Sequence, residues 1–349
     1  MPIQKIDILE FHSMRLNTPV IDVRSEGEYL HAHIPGAFSV PIFNNSERKI
    51  IGTAYKQESR EKAIRFGMEF FGQKLVALVD KVNALFKQQQ TENREIIVHC
   101  WRGGMRSAAM AWLLDLNGYR VFLLVGGYKK YRHWALAQLE KTYSLHVLAG
   151  FTGSNKTGVL TALREQAENV LDLEQLAGHR GSTFGNLEEL PQPSQEYFEN
   201  TLAETLSQQR ESKAIWVEGE SQRIGKLNIP KIFYEQMLAA PCTVLQIPFA
   251  ARLQHIMHGY GRYAPEKIAQ AILRITKKLG GLESKTALTH LHAGEREACY
   301  AIILTYYDRL YHRSAFSSRT AQNHVHVLEA ENTDALANAK KLLTHVNTH

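Results

Sequence analysis

Cysteine is scarce in this chain. Cys100, Cys242 and Cys299 are the only three among 349 residues, far apart and without a C-x-x-C pair. That spacing argues against a disulfide framework or a cysteine-built zinc site and suits a reducing compartment. Long apolar runs are missing too: none approaches the roughly 20 residues of a membrane span. The N-terminal stretch MPIQKIDILEF lacks the apolar core of a secretory signal. Internal repeats and low-complexity tails are absent. The expectation is a cytoplasmic protein with no membrane partner. What is present is a chain long enough for two domains, each with its own core. Its 41 Lys and Arg against 35 Asp and Glu give a net charge of +6, a modest pointer to a polyanionic partner.

The first half is organised around His99–Ser107 (HCWRGGMRS). Glu95–His99 reads as a short β-branched strand, and Ser107–Asn117 has helical apolar spacing stopped by Gly118. Cys100 therefore falls where a strand ends and a helix begins. Gly103 and Gly104 let the backbone curl so that amide N–H groups point toward one anion. Arg102 and Arg106 add positive charge, and Trp101 and Met105 complete the loop. Such surroundings lower a thiol pKa and favour a nucleophilic thiolate. A buried structural cysteine beside a turn is the alternative for a lone cysteine.

Around this loop, strand and helix signals alternate. Pro19–Arg24 reads as a strand, with Ser25 capping a short helix, and His33–Ala37 (HIPGA) as a turn before an extended piece at 38–42. Ser59–Gln88 reads as one long amphipathic helix with Ile64, Met68, Phe71, Leu75, Leu78, Val82 and Leu85 facing the core. A strand follows at Arg120–Val125, then the turn Gly126–Gly127. The basic, aromatic segment Tyr128–Trp134 could contact nucleic acid or form a solvated helix face. Alternation of this kind predicts an α/β fold with parallel sheets, whose sites lie at the C-terminal ends of strands.

A second unit begins at the strand 144–149. Gly150-Phe-Thr152-Gly153-Ser154-Asn155-Lys156-Thr157 follows, then a helix to about residue 168. Strand, Gly-rich loop, Lys-Thr and helix make the arrangement of a phosphate-binding P-loop. Loop amides cradle a diphosphate, Lys156 neutralises it, and Thr157 can hold magnesium. Asn155 stands where the second glycine of that pattern belongs; asparagine tolerates left-handed backbone, but its side chain could crowd a nucleotide. Residues 170–174 read as a further strand leading to a polar loop with His179 and Arg180 as supporting groups. Ala214–Ser221 reads as a buried strand on which Glu218 and Glu220 share one face, either as a magnesium site or as solvated carboxylates. Cys242–Ile247 reads as the last central strand. Beyond it lies a mainly helical, basic region, in which Arg252, His255, His258, Arg262, Lys267, Arg274, Lys277 and Lys278 either track a phosphate backbone or form a solvated face.

Asp22-Val-Arg24-Ser25, HIPGA at 33–37 and CWRGGMRS at 100–107 together resemble a rhodanese domain. Five residues separate Cys100 from Arg106, a loop longer than the usual sulfur-carrying one and similar to that of rhodanese-like phosphatases, so a tetrahedral oxyanion would fit. The boundaries read as 1–136 for a rhodanese-like parallel-sheet domain and 137–349 for a P-loop α/β domain with its helical, basic C-terminal region. Adding Leu171–Glu174, His179–Ser182, Phe184-Gly185, Pro193–Gln195, Phe198–Asn200 and Trp216–Glu218, the whole chain resembles the bacterial tRNA 2-selenouridine synthase family. That resemblance implies an enzyme replacing the sulfur of wobble 2-thiouridine in tRNA by selenium from selenophosphate, through an S-geranylated intermediate made with geranyl diphosphate. Cys100 would carry or activate the selenium, the loop 150–157 would hold the diphosphate, and Arg274, Lys277 and Lys278 are candidates for tRNA. The alternatives are a rhodanese-like phosphatase fused to an NTPase, a non-enzymatic tRNA-binding module, and an ATP-dependent tRNA thiolase, which should carry the glycine missing at Asn155.

Overall fold

The β-branched run Glu95–His99 lies at the middle of a five-stranded sheet, as a strand buried on both faces should. The structure, a computed structural model, describes residues 3–90, 93–179, 191–314 and 325–347. The chain divides into two units, Met1–Gln138 with Glu199–Glu204, and Leu139–Phe198 with Thr205–His349.

In the first unit the strands are β1 (Gln4–Ile6), β2 (Val20–Asp22), β3 (Phe38–Ser39), β4 (Glu95–His99) and β5 (Arg120–Leu124). They pair in the order β1-β5-β4-β2-β3, every pair parallel. Ile21, Ile96, Val98, Met110 and Leu114 fill one core cluster with Leu78, Val82 and Leu85. The expected long helix at 59–88 is two, Arg60–Gly72 and Leu75–Gln88, broken at Gln73-Lys74 where Lys74 caps the second. The break re-aims the apolar stripe: Met68 is exposed, while Phe71 and Leu75 are only partly buried against the core. A further helix, Asn45–Gln57, carries a full Asn44/Glu47 capping box that sequence reading passed over.

The second unit holds β6 (Leu145–Gly150), β7 (Asn169–Leu171), β8 (Ile215–Glu218), a two-stranded β9–β10 ribbon (Arg223–Ile224, Leu227–Asn228), β11 (Cys242–Gln246) and β12 (Val325–Glu329). The main sheet runs β12-β11-β6-β8-β7, all parallel. β11 is the last of the interior strands in chain order, as its sequence suggests, and β12 adds at the edge outside it with Leu245 against Leu328. The run 170–174 also departs from a single strand: β7 stops at Leu171, and Asp172 caps a short helix, Leu173–Ala177, through the Gln175 N–H at 2.8 Å. Past β11, the helices Phe249–Tyr260, Pro265–Leu279, Gly281–His292 and Arg296–Ser314 share a core of their own around Ile268, Ile272 and Tyr300. No helix among the described residues is long and apolar enough to cross a membrane.

Candidate active-site loops

Cys100 follows the C-terminal end of β4, and Gly104 caps the helix Met105–Leu116 that begins just beyond it. The residue is 3% exposed. Its Sγ accepts the Gly104 N–H at 3.3 Å and lies 3.2 Å from the Ser107 hydroxyl. Burial pushes the thiol up, but the bonds from Ser107, the Arg106 charge and the Gly104 amide outweigh it and hold the pKa below the ordinary value. Arg106 is tied to Glu28 at 2.8 Å, and Arg48 pairs with the same carboxylate. Arg102, Gly103, Gly104 and Met105 are exposed, and Trp101 is 39% exposed, so the loop's outer rim faces solvent.

The loop is held from beneath by the start of the helix Gly127–Leu139. Tyr128 N–H donates to the Cys100 carbonyl and Lys129 N–H to the Trp101 carbonyl, both at 2.9 Å. That approach requires glycine at 127, where φ is +55° and a Cβ would fall 2.2 Å from the Cys100 oxygen. Deeper still, Arg24 forks onto Asp22 at 2.6–3.0 Å, donates to the Ala32 carbonyl at 2.7 Å and lies 3.9 Å from the Tyr128 ring centroid. Burial works against ionised Asp22, yet the charged groups beside it, Arg24 among them, keep its carboxyl below the usual range. Arg24 is therefore a buried brace. Tyr128 and Tyr131 are fully buried too, which removes these two aromatics from any nucleic-acid surface, while Trp134 is half-buried and Lys129 and Lys130 are exposed.

Gly150 ends β6, and the loop 151–155 leads into the helix Lys156–Glu165. Asn155 adopts left-handed backbone at φ 59°, ψ 36°, as the missing glycine would. Its side-chain amide donates to the Thr333 carbonyl at 2.9 Å. Lys156 Nζ donates to the Gly150 carbonyl at 3.1 Å and lies 3.9 Å from Glu218. Ser154 is fully buried with its hydroxyl unpartnered among the described residues, Thr152 and Gly153 are half-buried, and Thr157 is exposed. The loop stands at the switch point of its sheet, where β8 and β11 flank β6.

Glu218 and Glu220 do not share a strand face. β8 ends at Glu218, and a tight turn with Glu220 N–H on the Glu218 carbonyl at 2.9 Å follows. The turn still brings both carboxylates together and adds Glu174: one oxygen from each lies within 4.8 Å of the others. Glu218 is 2% exposed, and its Oε2 has no partner among the described residues. Burial, then the Glu174 charge, push its pKa well up against the pull of Lys156; burial also raises Glu220. These hard oxygen donors fit a magnesium-class divalent cation.

His179 closes the short helix with its N–H on the Glu174 carbonyl at 3.0 Å, and burial lowers its imidazole pKa. Arg180 lies outside the described residues. Arg274, Lys277 and Lys278 are exposed on the helix Pro265–Leu279, opposite its buried face of Ile268, Ile272 and Ile275. Arg252, grouped with them by sequence, is instead buried: it forks onto Asp308 at 2.8 and 2.9 Å and donates to the Thr152 carbonyl at 3.1 Å. It buttresses the phosphate loop and is closed to RNA.

With both loops placed, comparison with known proteins decides the family. Residues 143–342 match the tRNA 2-selenouridine synthase AAA domain, and residues 7–133 match the rhodanese-like domain. The chain belongs to the tRNA 2-selenouridine synthase family. It is 36% identical over 294 residues to the tRNA 2-selenouridine synthase of Shewanella sediminis, covering 75% of each chain. It is 35% identical over 304 residues to that of a Sulfurovum species, covering 79% of this chain and 80% of the relative. With that of Nitrosomonas europaea it shares 37% identity over 272 residues, 73% of this chain and 68% of the relative.

Sequence reasoning missed Ser107 as a partner of the thiol, Glu28 as the partner of Arg106, Glu174 as the third carboxylate, and Arg252–Asp308 as the loop's buttress. Glu28 carried a signal, since Ser25-x-x-Glu28 is a capping box. Ser107 lies in the same loop, seven residues from Cys100, whereas Glu174 and the Arg252–Asp308 pair depend on contacts between segments far apart in sequence.

Proposed function

We propose that this protein modifies tRNA, exchanging the sulfur of 2-thiouridine for selenium in two steps at two loops. The observation that carries the reading is the coexistence, in a chain of this family, of a thiol with a lowered pKa and a phosphate loop whose left-handed Asn155 keeps its side chain on Thr333.

In the first step the thiouridine sulfur attacks C1 of geranyl diphosphate. The C1–O bond breaks, and diphosphate leaves with the electron pair toward Lys156 and the loop amides. Sulfur bound to uridine C2 is a poor leaving group as an anion; alkylated, it departs as a thiol. In the second step selenium attacks C2, and geranylthiolate leaves and takes a proton. Cys100 supplies the selenium nucleophile: thiolate attack at the phosphorus of selenophosphate breaks the P–Se bond, releases selenide and leaves a phosphocysteine for water to hydrolyse. The loop amides and Arg106 meet the tetrahedral oxyanion. Glu174, Glu218 and Glu220 would hold magnesium, which would supply positive charge for a departing diphosphate. Arg274, Lys277 and Lys278 would meet the tRNA backbone.

The test supplies purified thiolated tRNA, geranyl diphosphate and selenophosphate, and resolves the nucleosides by mass. Cys100→Ala should retain geranyl transfer and lose selenation, so that S-geranylated nucleoside accumulates, whereas Lys156→Ala should suppress geranylation. Selenouridine formed at an undiminished rate by the Cys100 variant would remove the cysteine from the reaction.

A further inference from the structure

Trp101 follows the thiol directly, and its indole is 39% exposed, although tryptophan offers one of the largest apolar surfaces a chain can bury. The residue is nonetheless held. Its carbonyl accepts the Lys129 N–H at 2.9 Å. Its ring centroid lies 5.6 Å from that of Tyr128, tilted by 39°. Tyr128 is itself fixed: it is fully buried, lies 3.9 Å from the Arg24 guanidinium, and its hydroxyl accepts the Asn200 amide at 2.9 Å. An exposed ring braced from beneath loses little freedom when a flat partner settles on it.

The charge around the ring selects the partner. The loop 100–107 and the segment 125–134 that clamps it carry Arg102, Arg106, Lys129, Lys130 and Arg132, without one Asp or Glu. Glu28 holds Arg106, and Glu199 holds Arg132. Arg102, Lys129 and Lys130 are exposed, and no ion pair holds them among the described residues. An apolar protein face laid over Trp101 would desolvate these cations without compensation. A single-stranded nucleic acid satisfies both features, with a base on the ring and phosphates on the cations. Cys100 is only 3% exposed, so a reacting base must leave its own stack to reach the thiol.

We propose that Trp101 is the stacking platform for the base under modification, splayed out of a single-stranded RNA loop, with Arg102, Lys129 and Lys130 on its flanking phosphates. The inference rests on the tRNA reading above and gives the thiol loop its base-binding residue. Trp101 holds the base at the loop, and Cys100 does the chemistry.

The test uses the full chain and two synthetic anticodon stem-loops, one with 2-thiouridine at the wobble position and one with an abasic sugar there. Trp101→Ala should weaken the thiouridine stem-loop about tenfold and leave the abasic one as it was. Trp101→Leu, which keeps apolar bulk without a π face, should lose as much, and Trp101→Phe should recover most of it. In selenation assays the alanine variant should show a raised KM for tRNA at little cost in kcat. Lys129→Glu with Lys130→Glu should weaken both stem-loops alike. Trp112→Ala, at another exposed indole, should change neither. Wild-type affinity for the thiouridine stem-loop in Trp101→Ala, or in Trp101→Leu should the first fail to fold, overturns the platform. Equal weakening of the abasic stem-loop, or the same loss in Trp112→Ala, overturns it too. A wild-type protein that binds neither stem-loop overturns the tRNA reading itself, and the platform with it.

Discussion

Asn155 and Thr333 are joined by a hydrogen bond of 2.9 Å from the asparagine amide to the threonine carbonyl. A residue standing at a glycine position of the P-loop pattern thereby has its side chain held by the segment after β12. Its backbone does what glycine would do, and its side chain ties the loop to the segment after β12.

Asn155→Gly should consequently cost stability. A hydrogen bond worth about 1 kcal/mol is lost, and the added freedom of glycine in the unfolded chain removes roughly 0.4–1 kcal/mol more. Relief of left-handed strain offsets only part of this. Denaturant unfolding should show a net loss of about 1 kcal/mol, and calorimetry with ATP should show no new binding. Strong ATP binding by the glycine variant would mean that Asn155 does crowd the cradle.

The thiol at Cys100 should ionise below the ordinary cysteine value, followed by thiolate absorbance against pH in a Cys242→Ala, Cys299→Ala background. Ser107→Ala removes a bond to the thiolate worth about 1.5–3 kcal/mol, so the midpoint should rise by roughly one to two pH units. Thiolate, and with it selenation, is lost as pH falls through that midpoint. Selenation by the Ser107 variant should need more alkaline solution. An unmoved midpoint would remove Ser107 from the account.

Glu218 makes stability depend on pH in the opposite sense to a salt-bridged carboxylate. Its folded pKa is raised, so the folded state binds more protons than the unfolded one. Its contribution is full below the unfolded value of about 4.3 and is lost as pH rises through the folded pKa, at about 1.4 kcal/mol per unit of displacement. Glu218→Gln should flatten this decline and raise the Tm near pH 8. Magnesium should stabilise the native protein most at that same alkaline end, and should do so less in the variant. Equal metal stabilisation of both proteins would place the cation elsewhere.

Charge reversal at Arg274 and Lys278 tests the proposed RNA contact. If these exposed cations meet phosphates, tRNA affinity should fall steeply with salt, and the double variant should show a shallower slope by about two contacts. Its weakening should be alike for all tRNAs. Salt-insensitive binding would contradict this placement.

Much of the fold was legible because its signals are local. Glu95–His99 and the buried part of 144–149 are β-branched or aliphatic runs that end in glycine-bearing loops, and each became a central strand of a parallel sheet. The helix break at Gln73-Lys74 was not legible, since the apolar spacing continues across it and only Lys74 as an unusual cap marks it. Arg252 looked like its basic neighbours in sequence, and only packing against Asp308 and Thr152 sets it apart. β12 escaped notice because Val325–Glu329 alternates weakly and gains its place by pairing with β11. The thiol and phosphate loops were found from their own residues, whereas the groups that brace them, Tyr128 N–H, Asp308 and Thr333, come from distant segments.

The contact at Gly127 bears on how this domain can be re-engineered or inherited. The segment 100–107 carries the thiol, its amides and its arginines, yet its two leading carbonyls are fastened by backbone from a later turn that only glycine can make. Transplanting those eight residues onto another parallel sheet would move the reagents without their clamp. The smallest transferable cassette runs from β4 through the start of the helix Gly127–Leu139, and a library that randomises the loop while allowing any residue at 127 would discard most of its members for reasons unrelated to chemistry.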